Sequence, residues 1–401
     1  MKYTKFYEWD ISTLGLGCMR LPVKTDGTVD EEKAVELIRY AYEHGVNYFD
    51  TAYRYHEGES ELVTGKALSI YPRETFHLAS KFPGHMLVKE PDGRLAFTGF
   101  PGKKVYFDSP AELFETQLKK CGVDYFDVYH LHNVNESSID FYLDEEIGIV
   151  SYLIEQKKAG RIRHMGFSSH GRPETIQRML DAFPGVFDAV QIQINYMDWT
   201  LQDAKAKYEL LEARGIPCIS MESVRGGALA HLSETAADIL KAADPEATQA
   251  SWALRWLQGK PNVKIVLSGM SAMAQLTENL ETFSVLKPLD EAGCAKLNEV
   301  LDTMLDLVPC TGCRYCTEGC PAGLEIPKLI SLYNEGKNSG LFQLMSVIRG
   351  MKPSELPEAC LKCGACKKVC PQGIDIPGVL EAFDKLLKTP PKFPGRPRIS
   401  K

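Results

Sequence analysis

"DEEKAVELIRYAYEHGVNYFD", residues 30–50, holds one complete unit of the pattern that decides this fold. Ala34, Val35, Leu37, Ile38, Ala41 and Tyr42 recur at helical spacing and form one apolar face, which stops at Gly45. The short run "VNYFD" follows, rich in β-branched and aromatic residues, and ends on a carboxylate, Asp50. A helical pattern thus feeds directly into a buried strand.

The same alternation recurs from residue 14 to about 285. Other strand candidates are "LGLGC" from Leu14, "FHLAS" ending at Ser80, "YFDVYHLH" from Tyr125 and "RHMGFS" ending at Ser168. "DAVQIQ" to Gln193, "IPCISM" to Met221 and "VKIVLS" to Ser268 complete a set of eight. Several intervening helices stop at a glycine, namely Gly45, Gly122, Gly160, Gly215 and Gly259, where positive φ is expected. Eight βα units in this length fit a closed (β/α)8 TIM barrel in the α/β class. A doubly wound open sheet is the competitor, but no GxGxxG follows the first strand.

The 401 residues exceed one ordinary domain, and 44% apolar with 25% charged residues describe a chain able to bury a large core. A net charge of −7 argues against nucleic-acid binding. No apolar run reaches membrane-spanning length, and the opening "MKYTKFYEWD" lacks a signal-peptide core, so no membrane partner and a cytoplasmic location are expected. The expected domains are a barrel over 1–288, a small α-helical region over 289–387, and a basic, proline-rich tail over 388–401.

Eight of the twelve cysteines lie in two runs within that helical region. "CTGCRYCTEGCP" from Cys310 and "CLKCGACKKVCP" from Cys360 both read C-x2-C-x2-C-x3-C-P. Closely spaced thiolates of this kind hold iron–sulfur clusters. Structural zinc is the alternative, yet zinc sites rarely use three evenly spaced cysteines followed by Cys-Pro, twice. Two [4Fe–4S] clusters are therefore expected. With helical patterns such as "LEIPKLISLYNEG" between the runs, this end resembles the α-helical ferredoxin modules of larger redox enzymes. In two-cluster ferredoxins the fourth cysteine of each run serves the other cluster. The resemblance then implies Cys310, Cys313, Cys316 and Cys370 for one cluster, and Cys360, Cys363, Cys366 and Cys320 for the other. Cys18, Cys121, Cys218 and Cys294 read as buried small apolar residues.

Chemistry in a barrel sits where the strands end. Strand two ends at Asp50, strand three runs into Lys81, and strand four ends at His132, with tyrosines nearby. His130 would face the same side as His132 and is its rival. Here the chain resembles the aldo-keto reductase family, over about residues 10 to 285. "DTAYRYHEGESE" from Asp50 matches the family's D-T-A-x-x-Y-x-x-G-x-S-E signature. The resemblance implies a catalytic tetrad of Asp50, Tyr55, Lys81 and His132, with Tyr55 preferred to Tyr53 by its place in the signature. Tyr55 would give a proton to the alkoxide left by hydride transfer, and Lys81, kept charged by Asp50, would lower its pKa. His132 would hold the carbonyl oxygen.

The resemblance further implies a nicotinamide site. "GFSSHG" places Ser168 and Ser169 after strand five, with serine at 169 where asparagine is usual, and Gln191 matches the glutamine that holds the carboxamide. Ser223 and Arg225 lie in the loop expected along the pyrophosphate, and Gly269, Ser271, Gln275 and Asn279 in the segment expected at the adenosine. The family's lysine and arginine for a 2′-phosphate are replaced by Gly269 and Gln275, which leaves NADPH, NADH and a flavin open. The long stretch from Phe82 to Tyr106 either covers a substrate pocket with Phe82, Met86, Phe97, Phe100 and Tyr106, or forms a surface hairpin with its own small core.

Three functions fit these halves. One is a carbonyl reductase with a two-cluster tail, acting on a small-molecule carbonyl substrate and linked to a ferredoxin or other redox protein. The second is a ferredoxin-dependent reductase whose clusters feed a barrel-bound flavin, because hydride moves two electrons and a cluster one. The third is a non-catalytic electron-transfer or regulatory subunit.

Overall fold

The computed structural model describes residues 1–310, 312–370 and 372–389, and of residues 339, 342 and 343 the backbone alone. The tail expected over 388–401 lies outside them beyond residue 389, as does Pro371.

The chain opens with an antiparallel hairpin, β1 (Tyr3–Phe6) and β2 (Trp9–Ser12). Three barrel strands follow, β3 (Leu14–Gly17), β4 (Tyr48–Asp50) and β5 (His77–Phe82). A separate antiparallel sheet is inserted next, formed by β6 (Leu87–Lys89), β7 (Leu95–Phe100) and β8 (Lys103–Phe107). The barrel resumes with β9 (Phe126–Val134), β10 (Ile162–Ser169), β11 (Ala189–Gln193), β12 (Cys218–Met221) and β13 (Val263–Ser268). These eight strands close in sequential order, with β13 returning to β3, and every pairing is parallel. Closure removes the open-sheet alternative.

Tyr48, Ala79, Val128, Ala189, Ile219, Ile265 and Leu267 pack in one buried cluster with Phe6 and Ile11 of the hairpin. Burying each large member fully is worth about 1.5–3 kcal/mol. The hairpin was not visible in the sequence, because two four-residue strands of mixed polarity carry no period. Helix ends follow the glycines, with Gly45 at φ 90 and Gly122 at φ 66. Gly259 departs from expectation: it caps its helix at φ −81, in ordinary backbone space.

The chain divides into two compact units, the first Met1–Asn298 and the second from Glu299 onward. In the second, helices Ile326–Ser339, Leu341–Gly350 and Ile376–Lys388 surround a core of Leu324, Leu329, Ile330, Leu344, Leu380 and Phe383, joined by Cys316 and Cys366. The two cysteine runs fold alike. Each turns through a left-handed residue, Arg314 (φ 68) or Gly364 (φ 75), into a short helix, Tyr315–Glu318 or Ala365–Val369. Each then enters a longer helix with proline in its first turn, where a missing N–H costs nothing.

Candidate active site and cluster centres

The signature segment after β4 is a tight turn locked by its own side chains. His56 and Glu57 are left-handed (φ 51 and 56), and Gly58 enters the next helix at φ 96. Ser60 Oγ lies 2.8 Å from Thr51 Oγ1 and donates to the Cys18 carbonyl at 2.9 Å. The fully buried Glu61 accepts from Ser80 Oγ (2.7 Å) and Gln117 Nε2 (2.6 Å) and pairs with Lys120 (2.9 Å). The last two signature residues thus pin the loop that carries Tyr55.

At the carboxyl-terminal mouth Lys81 Nζ pairs with Asp50 Oδ1 and donates to the Thr51 carbonyl at 2.9 Å, with Asp50 2% and Lys81 1% exposed. The Lys81 ammonium lies 4.9 Å from the centre of the Tyr55 ring. The His132 ring meets that of Tyr55 edge-on at 5.7 Å. The four tetrad residues converge. Tyr53 instead is buried among Phe97, Phe100 and Phe107, at 4.9, 5.6 and 5.9 Å. His130 faces Lys81 across the β5–β9 pairing, is fully buried, and neither ring nitrogen has a hydrogen-bond partner among the described residues. It sits one layer deeper, with its Nδ1 2.7 Å from where a Cβ on Gly166 would be.

Sequence reasoning missed His85, whose ring stands 4.6 Å from that of His132. It follows Lys81 by four residues, so strand-end position was the available signal. Tyr142 Oη donates to the backbone carbonyls of His132 (2.5 Å) and Phe82 (3.1 Å), tying the ends of β9 and β5. Phe82 at the end of β5 and Phe97 in the inserted sheet are fully buried while Tyr106 is exposed, so the five-residue cover does not form as one surface. Phe97 and Phe100 are 4.8 Å apart, and Arg54 Nε donates to the Gly99 carbonyl at 3.2 Å, which ties this sheet to the Tyr55 loop.

The electrostatics differ from expectation at Tyr55. Burial raises its pKa, and the attraction and hydrogen bonding of Lys81, though they pull it down, do not outweigh burial. Burial alone would lower the Lys81 ammonium, but Asp50 and Tyr55 more than compensate and hold it above its ordinary value. Burial, reinforced by His85 and Lys81, pushes His132 well below the usual imidazole range. At neutral pH the mouth therefore holds a protonated phenol, an ammonium paired with a carboxylate, and a neutral imidazole.

The positions taken for a dinucleotide behave unequally. Ser168 and Gln191 stand side by side in the β10–β11 register, each 2% exposed, and Gln191 Oε1 has no hydrogen-bond partner among the described residues. An orphaned amide group at the mouth fits a carboxamide. Ser168 Oγ accepts from the Asn133 N–H at 2.8 Å. Ser169 Oγ is spent on the scaffold, donating to the Val134 carbonyl (2.7 Å) and accepting from the Gly171 N–H (3.0 Å). Ser223 Oγ donates to the Leu267 carbonyl (2.8 Å), and Asn279 Nδ2 donates to Ser268 Oγ (3.0 Å). Arg225 binds the buried Asp198 at 3.1 Å. Gln275 Oε1 accepts from the Ser271 N–H at 2.9 Å, closing the turn after Gly269.

In the second unit, Cys310, Cys313, Cys316 and Cys370 line one pocket, with Pro327, Ile330 and Ile374. Cys320, Cys360, Cys363 and Cys366 line another, with Leu324, Ile326 and Leu380. The fourth cysteine of each run thus joins the other run's cavity. Among the described residues no three such ligands close on a single-ion position. Four thiols around an apolar cavity suit a polynuclear cluster better than one zinc ion, whose ligands gather at about 2.3 Å. Of the remaining cysteines, Cys18, Cys121 and Cys218 are buried, whereas Cys294 is only partly so.

A closed parallel barrel with a charged and aromatic cluster at its carboxyl-terminal mouth has the architecture of a TIM-barrel enzyme. The chain belongs to the aldo/keto reductase family, an oxidoreductase family whose model matches residues 13–302. A 4Fe-4S dicluster domain model matches residues 309–374. A probable aldo-keto reductase 1 of Glycine max is 32% identical over 195 residues, 48% of this chain and 50% of that protein. The uncharacterized oxidoreductase YqkF of Bacillus subtilis is 28% identical over 300 residues, 70% of this chain and 90% of the relative. Among solved structures, the holo form of aldo-keto reductase AKR11C1 from Bacillus halodurans is similar, with a TM-score of 0.59 and 25% identity, covering 75% of this chain and 96% of that one.

Proposed function

We propose that the barrel reduces a small-molecule carbonyl compound with a nicotinamide dinucleotide, NADPH or NADH, and that the second unit exchanges electrons with a ferredoxin or other redox protein. The observation that carries this reading is the convergence of the buried Lys81 with the half-buried Tyr55 and His132 at one mouth. A bound reduced nicotinamide supplies hydride, and bound [4Fe–4S] clusters exchange single electrons. Gln191 and Ser168 are the residues to hold the carboxamide. His132, neutral, donates its ring N–H to the carbonyl oxygen and keeps it facing Tyr55. As negative charge develops on that oxygen, Tyr55 passes its phenolic proton to it and the alcohol results. The phenolate left behind is stabilised by Lys81, which Asp50 and the Thr51 carbonyl hold in place. Tyr55 then regains a proton from solvent.

Two electrons leave the dinucleotide together, so the clusters take no part in this step. Cysteine-rich iron–sulfur ligation suits a reducing, cytoplasmic setting. Among the described residues no helix is long and apolar enough to cross a membrane.

Tyr55→Phe removes only the transferable proton. It is expected to lower turnover of a panel of aldehydes and ketones by about 100- to 10,000-fold. Dinucleotide binding and cluster absorbance should be unchanged. Full turnover in this variant would overturn the assignment.

A further inference from the structure

Lys81 and Arg225 at the barrel mouth each face a carboxylate, Asp50 and Asp198. Arg54, one residue before Tyr55, does not. It is exposed, its Nε donates to the Gly99 carbonyl at 3.2 Å, and no carboxylate pairs with it among the described residues. That bond fixes where the side chain lies. Gly99 belongs to β7, and a Cβ there would fall 2.5 Å from Met86 Sδ, so the strand rests directly on Met86. Thr98 Oγ1 holds the same place, donating to the Met86 carbonyl at 3.1 Å. Met86 follows His85, whose ring stands 4.6 Å from that of His132. Arg54 is therefore drawn along the rim on the side of the mouth where His85 and His132 meet.

The guanidinium is felt inside the mouth. Burial pushes the His85 imidazole down to about 3, and the charge of Arg54 adds to that shift. His85 thus stays neutral, as His132 does, and its buried Nδ1 has no hydrogen-bond partner among the described residues. Two uncharged imidazoles line this side of the mouth, and Arg54 sets a positive charge beside them. With Nε spent on Gly99, the two terminal nitrogens are left to donate to an anion, in the planar fork that matches a carboxylate.

We propose that Arg54 receives a carboxylate carried by the substrate, so that the favoured carbonyl compounds are oxo acids. The inference rests on the carbonyl-reductase reading given above. His132 takes the carbonyl oxygen, while Arg54, on the rim beside His85, takes the carboxylate, which passes through the reaction unaltered. A neutral aldehyde or ketone makes only the first of these contacts.

The test is anaerobic steady-state reduction of pyruvate and 4-oxobutanoate, each against its methyl ester, by the purified full chain with NADPH or NADH. The readout is the ratio of kcat/KM for the acid to that for its ester. Arg54 also ties β7 to the Tyr55 loop, and any loss of that tie acts on acid and ester alike. The unaltered protein is expected to favour the acid of at least one pair, less so as ionic strength rises. Arg54→Ala is expected to lower that ratio by about 10- to 100-fold, mainly through KM for the acid, as loss of a charge-assisted hydrogen bond would. Arg54→Lys, which keeps the charge but not the fork, should recover part of the loss, and the uncharged Arg54→Gln should not. A ratio that Arg54→Ala leaves unchanged, or turnover by the unaltered protein that favours only neutral carbonyl compounds, would overturn the proposal. If the unaltered protein reduces no carbonyl compound with either dinucleotide, the reductase reading itself falls and this inference with it. That result is seen before any variant is made.

Discussion

Tyr55 carries two opposed influences, burial that raises its pKa and a neighbouring ammonium that lowers it, and burial prevails. A raised pKa means the proton stays on at neutral pH and is lost only as pH rises through the raised value. His132 is shifted the other way, so it stays neutral down through the range where an exposed histidine would charge. The expected kcat/KM for carbonyl reduction is therefore flat from about pH 6 to 9 and declines only on the alkaline side. A profile with an acid limb centred near 6.5 would contradict this placement of His132. That Asp50, Tyr55, Lys81 and His132 would meet at one mouth was legible from strand ends and one signature. The direction of the Tyr55 shift was not, because burial is set by the whole barrel.

The elements show where local pattern suffices. All eight barrel strands announced themselves as short apolar runs between helices, because a parallel strand is buried on both faces. The hairpin β1–β2 did not, and the sheet β6–β8 was expected only as a surface hairpin, one of two readings of its stretch. Their strands alternate polar and apolar residues over too few positions, and their place is fixed by what they pack against, Tyr48 and Val128 for the hairpin and Tyr53 for β7. The repeated cysteine runs were legible at residue resolution, and the cavities pair them crosswise. This pairing has a measurable consequence. Cys320→Ser and Cys363→Ser strike the same cavity, so the double variant should lose no more iron than either single one, about half of the total. Combining Cys320→Ser with Cys313→Ser should empty both. Iron content and electron paramagnetic resonance of anaerobically purified protein check this, and the reverse pattern would show each run serving its own cluster.

At the scale of the whole molecule, an aldo/keto reductase barrel and a 4Fe-4S dicluster domain are carried on one chain, and nicotinamides and iron–sulfur clusters in general move electrons in different packets. Hydride chemistry at Tyr55 needs no one-electron carrier, and a cluster accepts hydride from no dinucleotide without a mediator such as flavin. On the function proposed above, the barrel is complete for reduction and the clusters serve a separate redox protein. The measurement that bears on this most directly is an anaerobic absorbance titration of the full chain with NADPH and then NADH, with no carbonyl compound present. The expected result is that dinucleotide binds while the broad visible absorbance of the clusters stays unchanged. Bleaching of that absorbance on addition of either dinucleotide would contradict it, and would mean that electrons from hydride reach the clusters.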